Sequence, residues 1–433
     1  MENQLVHHAL ANVGQNGRIA RRDFIKGISA AAVAAGGLTW GDTLSLQAAE
    51  LRKRGMACIV LWMGGGPSQF ETFSPLEKHE NAGETKAIAT ATPGVRIAEH
   101  FPEVAKISGD LAIIRSLTSK EGNHTRASFL LHSGYLPTPT VKYPSLGAIA
   151  AHQIADKACE LPSYVRVGRA GGVEGGGGFL GVEYDPFVLI RGDRPPDNAA
   201  PTTAVERFRR RQALLTRMEA GYAQSGGGSL VADHQKLYES ATRMILSQQM
   251  AAFDLERETA AVRAAYGEGP FASGCLLARR LVEQGVTFVE VTLGGWDTHA
   301  DNFNKTKELA RQLDRPMAHL IADLKQRGLL DRTLVVWMGE FGRTPKINPR
   351  GGRDHYPQAF NVALAGGGVR GGQVIGRVTR DGSKVEERPV LVADLFRSIC
   401  HSLKINPDQE QMTPIGRPIK IVDGGKVVQE LFG

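Results

Sequence analysis

Three polar clusters in the C-terminal third of the chain carry the side chains that could do chemistry. Asp297 and His299 lie two residues apart, Glu340 follows an apolar run, and Asp354 and His355 are adjacent. In an extended loop, residues i and i+2 point the same way, so Asp297 and His299 can reach one ion. Carboxylates and imidazoles together form the ligand set of a divalent metal such as zinc. The types and spacing of these five residues therefore predict a metal site.

Each cluster belongs to a stretch in which apolar strands alternate with helices. Residues 286–292 and 333–338 are rich in β-branched and apolar side chains, as is a first strand predicted at 58–63. A helix is predicted at about 305–327, and a further strand at 359–364. This alternation predicts an α/β fold with a mainly parallel sheet covered on both faces. Ligands of such sheets bind beyond the carboxyl ends of the strands, where the clusters fall.

Another polar cluster begins the helical stretch of residues 123–134. Asn123 or Thr125 could cap this helix, and Gly134 is expected to end it. A hydroxyl or imidazole here, on Thr125 or His124, would lie at the positive end of the helix dipole, which suits an anionic substrate. For Thr125 taken alone, simple capping is the alternative.

Residues 204–265 interrupt the α/β pattern with two long amphipathic helices, which the segment 225–229 separates. We expect this block to be a helical insertion or cap on the sheet domain. It holds the basic run Arg207, Arg209, Arg210 and Arg211, in a chain whose net charge is +7. Since no aromatic stacking pattern accompanies the run, we interpret it as a solvated helix face and expect no nucleic-acid partner.

The first 49 residues have the pattern of an export signal. Arg21 and Arg22 precede Asp23 and Phe24, and a weakly apolar Ala/Gly run follows. This order is typical of a twin-arginine signal, and the apolar run is too short to span a bilayer. The sequence therefore predicts a partner in the twin-arginine export machinery. It predicts a mature domain, residues 50–433, that is periplasmic or extracellular and has no stable membrane span after cleavage.

The motifs together resemble a bacterial family catalogued as domain of unknown function 1501. The shared stretches are G-G-P-S-Q from Gly65, W-D-T-H from Trp296, the segment 329–345 and G-R-D-H-Y-P from Gly352. That family is grouped by fold with the alkaline phosphatases and sulfatases. The resemblance implies an alkaline phosphatase-like three-layer sandwich with a mainly parallel central sheet.

The resemblance also assigns positions to residues of the site. Glu340 stands where sulfatases place a ligand aspartate, and residues 125–134 are similar to the helix that follows the sulfatase nucleophile. The nucleophile position itself falls near Gly122, and Gly64-Gly65 occupy the positions of an aspartate pair. One metal, or a rearranged site that uses His124 and Thr125, therefore agrees better with this sequence than a complete two-metal site.

These features predict an exported hydrolase of phosphate or sulfate esters, with a small anionic ester as substrate and zinc, calcium or manganese as the metal. The expected metal ligands are Asp297, His299, Glu340, Asp354 and His355. His124 or Thr125 would be the nucleophile or the proton-transfer group, and Arg126, Arg343 and Arg353 would hold the anion. The alternatives are a non-catalytic exported binding protein that keeps the fold, and a partner subunit for another exported protein.

Overall fold

The computed structural model describes residues 55–156, 158–169 and 175–433. The predicted twin-arginine signal, residues 1–49, lies outside the described residues. In the part of the chain that is described, no helix is both long and apolar enough to cross a membrane. The strands are β1 (Ala57–Gly64), β2 (Ala87–Ala89), β3 (Arg96–Ala98), β4 (Ala112–Thr118), β5 (Tyr164–Val167), β6 (Phe187–Leu189), β7 (Phe288–Gly294), β8 (Thr333–Met338), β9 (Gly342–Arg343), β10 (His355–Tyr356), β11 (Phe360–Ala365), β12 (Gln373–Ile375), β13 (Arg377–Val378), β14 (Val385–Glu387), β15 (Val390–Leu391), β16 (Glu410–Met412) and β17 (Pro418–Lys420). The α-helices are α1 (Pro102–Lys106), α2 (His124–Ser133), α3 (Leu146–Ile154), α4 (Val205–Tyr222), α5 (Gly228–Leu246), α6 (Ala260–Tyr266), α7 (Pro270–Glu283), α8 (Asn302–Gln326) and α9 (Val392–Ser402).

The central sheet has nine strands, with the order β12-β4-β11-β8-β1-β7-β5-β6 and with β15 paired to β4. All neighbouring strands are parallel except at β11, which is antiparallel to both β4 and β8. The predicted α/β class with a mainly parallel sheet is therefore confirmed. The direction of β11 follows from its connection. The chain between β8 and β11 forms the short β9–β10 pair instead of a crossover helix, so it re-enters the sheet from the edge that it left.

The strands are apolar throughout because both faces of the sheet are buried. Along β1, Ile59, Leu61 and Met63 pack in one core cluster, and the alternate residues Val60 and Trp62 pack in another. The first cluster includes side chains from α7 and α8, and the second includes side chains from α2, α3 and α9. Two helical layers thus cover the sheet, which gives a three-layer sandwich.

The carboxyl ends of the central strands lie side by side. Gly64 at the end of β1 is in register with Gly294 at the end of β7, and Trp62 of β1 is in register with Met338 at the end of β8. The loops that follow these strands therefore leave the sheet at one edge. Two of them carry polar clusters predicted from the sequence, those that contain Asp297 and Glu340.

Helices α4 and α5 form a hairpin, hereafter the α4–α5 hairpin, joined by a π-helical segment at Ala223–Gly227. Glu219 of α4 accepts hydrogen bonds from His234 and Gln235 of α5, which places the two helices antiparallel. An ion pair of 2.6 Å between Lys236 and Glu183 ties the hairpin to the segment before β6.

A buried ionic cluster fixes α2 against the sheet. Glu290 of β7 lies 3.2 Å from His132 Nε2 and 3.1 Å from Arg166 Nε, and all three side chains are at most 5% exposed. His132 Nδ1 is 2.7 Å from the carbonyl oxygen of Ser128, which fixes the ring orientation. Burial opposes ionisation of Glu290, but the charges of His132 and Arg166 lower its pKa to about 2.

We expect Glu290→Gln to destabilise the fold by about 3–5 kcal/mol, because it leaves the buried guanidinium of Arg166 beside a neutral amide. The measurement is the urea unfolding midpoint. Glu308→Gln, which removes an exposed ion pair with Arg311 on α8, is the control and should leave the midpoint unchanged.

The pH dependence has a definite sign. A lowered pKa means that ionised Glu290 stabilises the fold fully above about pH 4.5 and that this stabilisation is lost as the pH falls toward about 2. The difference in urea unfolding midpoint between wild type and Glu290→Gln should therefore become smaller as the pH falls over that interval. A difference that is absent at neutral pH would contradict the role given to this cluster.

Candidate metal centre

Three histidines converge on one carboxylate at the carboxyl edge of the sheet. The Nε2 atoms of His124, His299 and His355 lie 3.4, 3.1 and 3.3 Å from Asp297 Oδ1. The Nε2 atoms of His299 and His355 are 2.9 Å apart. Ligand atoms at the usual zinc bond lengths of a tetrahedral site lie about 3.3 Å from one another. The ligand atoms of His124, Asp297 and His355 are thus close enough together to hold a single metal ion. His299 Nε2 contacts two of these three side chains.

Each of these histidines has its second ring nitrogen fixed by an acceptor. The Nδ1–acceptor pairs are His124 with Glu340 Oε1 at 2.7 Å, His299 with Asp354 Oδ1 at 2.7 Å and His355 with the carbonyl oxygen of Gly122 at 2.8 Å. Because an Nδ1 beside an acceptor carries the hydrogen, the neutral ring presents an Nε2 lone pair. Such hydrogen bonds orient metal-binding imidazoles and fix their tautomer.

This arrangement leaves polar atoms that a cation would satisfy. With both Nδ1 atoms donating, the rings of His299 and His355 in their neutral forms would direct two lone pairs at each other and at the Asp297 carboxylate. His124 Nε2 is buried and has no hydrogen-bond partner. Unsatisfied buried polar atoms are costly. The donor set therefore fits a metal ion on chemical grounds as well as in its spacing.

The pKa values of Asp297 and His355 are shifted in the direction that metal binding requires. Burial opposes ionisation of Asp297, but the hydrogen bond and charge of Arg343 lower its pKa to about 2. Burial is the main cause that lowers the pKa of His355, which favours the neutral imidazole. The hydrogen bond to Glu340 instead raises the pKa of His124. At neutral pH, Asp297 is ionised and His355 is a neutral donor.

Arg343 is fully buried and joins Asp297 to the loops around it. Its Nη2 donates to Asp297 Oδ1 at 2.7 Å and to the carbonyl oxygens of Gly65 and Trp296, while Nε donates to the carbonyl oxygen of Gly66 at 2.8 Å. Arg343 thus lies beneath the Asp297 carboxylate, and its guanidinium has no surface exposed to solvent.

Arg353 is also fully buried. Its guanidinium pairs with Glu71 at 2.8 Å and donates to the carbonyl oxygens of Asn81, Thr344 and Pro345. Together with the Nε contacts to Glu71, these bonds occupy all five N–H groups. Arg353 therefore has no free N–H group with which to make the predicted contact with a substrate anion.

The structure brings the five predicted metal ligands and His124 close together, but not Thr125 or Arg126. Glu340 and Asp354 contact Nδ1 atoms of the histidines, while His124, which the sequence suggested for proton transfer, directs Nε2 to the centre. Thr125 and Arg126 lie on the exposed first turn of α2, with Arg126 Nε bonded to Glu121 at 2.6 Å. The signal that could have indicated His124 is its place after β4, which shares the carboxyl edge of the central strands.

Local backbone geometry shapes the loop that follows β1. The N–H of Gly65 donates to Glu340 Oε1 at 2.9 Å, and its φ is +113°. A Cβ there would lie 2.5 Å from the backbone nitrogen of Asp297 and 2.9 Å from the backbone of Trp296. Glycine is therefore needed for the close approach of the β1 and β7 loops.

A cavity of about 650 Å³ opens beside α2. Thr125, the residue after His124, lines it together with Phe129 one turn along α2. The rest of the lining is mostly apolar or glycine, from residues 137–143 and 175–182, with the charged side chains of Lys142, Asp185 and Asp233. Its size is in the range of cavities that bind organic ligands.

Comparisons with known proteins give a family and distant structural likenesses. A family model described as "Protein of unknown function (DUF1501)" matches residues 56–432. No curated protein matches the chain. A sulfatase from Pseudoalteromonas sp. is similar at 13% identity and a TM-score of 0.40, over 90% of this chain and 79% of that one. The phosphonate monoester hydrolase of Agrobacterium radiobacter is similar at 12% identity and a TM-score of 0.38, over 87% of this chain and 77% of that one. At these values neither likeness bears on substrate or mechanism.

We expect Gly65→Ala to destabilise the protein more than Gly94→Ala does. Both glycines have positive φ, +113° and +79°, but an added Cβ at Gly94 meets nothing within 4 Å. Gly94→Ala should cost about 1–2 kcal/mol from backbone strain alone. Gly65→Ala adds a backbone clash with the Asp297 loop and should also lower metal content. Equal urea midpoints for the two variants would contradict this account of the β1 loop.

Proposed function

We propose that this chain, which belongs to the DUF1501 family of proteins of unknown function, is a metal-dependent hydrolase of phosphate or sulfate esters. The observation that carries the proposal is the convergence of three Nε2 atoms on Asp297 Oδ1, each ring being fixed through its other nitrogen. We assign His124, Asp297, His299 and His355 as the metal ligands. A set of three imidazoles and one carboxylate favours zinc over calcium, which prefers oxygen ligands.

In this proposal Glu340 and Asp354 position the ligands and do not bind the metal. Each accepts a hydrogen bond from Nδ1 of a ligand histidine, at 2.7 Å in both cases. Such carboxylates hold the ring orientation and raise the basicity of the ligand nitrogen. This assignment differs from the sequence-based set, in which both carboxylates were ligands and His124 was not.

The chemistry follows from what surrounds the metal. A divalent ion held there would polarise an ester oxygen and lower the pKa of a water molecule. Thr125 offers an exposed hydroxyl beside His124 for attack or proton transfer, and Arg126 with the N-terminus of α2 offers positive charge to the anion. In hydrolysis, the water oxygen bonds to phosphorus or sulfur, and the leaving ester oxygen takes a proton. The cavity lined by Phe129 would hold the organic part of the ester.

The first test is metal content. Protein purified without added metal should contain about one equivalent of a transition metal, most favourably zinc. His299→Ala and Asp297→Asn remove a ligand and should abolish this content, while Glu340→Gln should weaken affinity by about 10–100-fold. His401→Ala, at an exposed histidine of α9, is the matched control and should change nothing. Metal-free wild-type protein that binds no metal on titration would overturn the proposal.

The same preparations test the reaction. After metal supplementation, we expect turnover of an aryl phosphate or an aryl sulfate, which His299→Ala lacks. Thr125→Val should lose most of this activity and Thr125→Ser should keep it, since only serine retains a hydroxyl. Bound metal without turnover of either ester would favour a non-catalytic binding protein on the same fold.

Export is a further part of the proposal, and the Arg21-Arg22 pattern supports it. Residues 1–49 fused to a reporter that folds in the cytoplasm should carry it across the membrane of a bacterium with a twin-arginine pathway. Joint replacement of Arg21 and Arg22 by lysine should block transport, because the pathway reads the arginine pair. Arg18→Lys is the control. Transport that survives loss of the pair would contradict this route.

A further inference from the structure

The α4–α5 hairpin presents an exposed helix face that combines arginines with apolar side chains. Arg207, Arg211, Leu214, Met218 and Tyr222 follow one another at spacings of three or four residues, which places them on one face of α4. Leu214, Met218 and Tyr222 are 57%, 69% and 58% exposed. The face is basic in its first half and apolar in its second half.

Exposed apolar residues are concentrated on this hairpin. Among the described residues, twelve large hydrophobic side chains are strongly exposed, and six of them lie on α4 or α5. The three on α5 are Leu230, Leu237 and Tyr238. Scattered exposed apolar residues need no explanation, but a cluster of this kind marks a surface that contacts something else.

The arginines of α4 are free to meet an anionic partner. Arg207, Arg209, Arg210, Arg211 and Arg217 are exposed or half-exposed, and none of them forms an ion pair among the residues that the structure describes. The helix has two acidic residues, and one of them, Glu219, already binds His234 and Gln235 of α5. The hairpin therefore has an uncompensated positive charge beside its apolar side chains.

We propose that the α4–α5 hairpin binds the surface of an anionic phospholipid bilayer. The arginines would contact lipid phosphates, and Leu214, Met218 and Tyr222 would enter the boundary between headgroups and acyl chains. In protein–protein interfaces, charge is depleted from the apolar centre and lies at the rim. On α4 the unpaired arginines adjoin exposed apolar side chains, so one surface offers positive charge to lipid phosphates and apolar contact to the acyl chains beneath them.

The test is cosedimentation of the full chain with vesicles of phosphatidylglycerol and phosphatidylcholine, and with vesicles of phosphatidylcholine alone. We expect binding to the anionic vesicles only, and weaker binding as salt rises from about 0.1 M to 1 M because the attraction is screened. Replacing Arg207, Arg210 and Arg211 by glutamine should weaken binding on the order of a hundredfold.

Apolar variants and a matched control complete the design. Leu214→Asp combined with Met218→Asp should abolish binding, because it puts charge where the face would enter the acyl-chain boundary. Met412→Asp combined with Ile415→Asp, at residues 66% and 62% exposed on and beside the β16–β17 hairpin, should leave it unchanged. All the replaced side chains are exposed, so thermal unfolding should show that every variant is folded.

Two results would overturn the proposal. One is that the protein binds neither kind of vesicle, or binds both kinds equally well. The other is a dimer in solution, seen by light scattering, that Leu214→Asp with Met218→Asp dissociates, because the face would then bind a second copy of the chain. Metal content is measured in the same preparations, so failure here is distinguishable from failure of the proposed metal site.

Discussion

The packing of three imidazoles around one carboxylate is the constraint on which the rest of this site depends. When these rings are neutral, their Nε2 lone pairs meet each other and an anion at 2.9–3.4 Å, an arrangement that requires positive charge between them. The Nδ1 atoms of His299 and His355 keep their hydrogens, because Asp354 and the carbonyl oxygen of Gly122 accept hydrogen bonds from them. A change of tautomer therefore cannot supply an Nε2 hydrogen to the centre. A cation or an additional proton must balance the centre, and a divalent ion does so with the geometry that is present.

The sheet makes this packing possible. Parallel strands in matched register bring the loops after β1, β7 and β8 to one edge, and the buried cluster of Glu290, His132 and Arg166 holds α2 so that His124 reaches the same point. Beneath the centre, Arg343 keeps Asp297 ionised. These side chains are thus positioned by polar contacts that involve no ligand, as a preorganised site requires.

Much of this could be predicted from the sequence, because strand composition and strand-end position are local signals. The strand expected at 333–338 is Thr333–Met338, and the helix expected at about 305–327 is Asn302–Gln326. Side-chain direction could not be predicted in the same way. Glu340 is turned toward Gly65 and His124, which are 275 and 216 residues away, so nothing in its own loop distinguishes a ligand from a residue that supports one. The burial of Arg343 and Arg353 could not be predicted for the same reason, since their partners come from distant loops.

The most direct measurement of the central claim is zinc K-edge X-ray absorption of the metal-loaded protein, compared with the Asp297→Asn variant. The account predicts a first shell of nitrogen and oxygen at about 2.0–2.1 Å, with the scattering pattern of about three imidazoles and with no sulfur. A first shell that contains sulfur at about 2.3 Å, or one without imidazole scattering, would place the metal elsewhere and contradict the account.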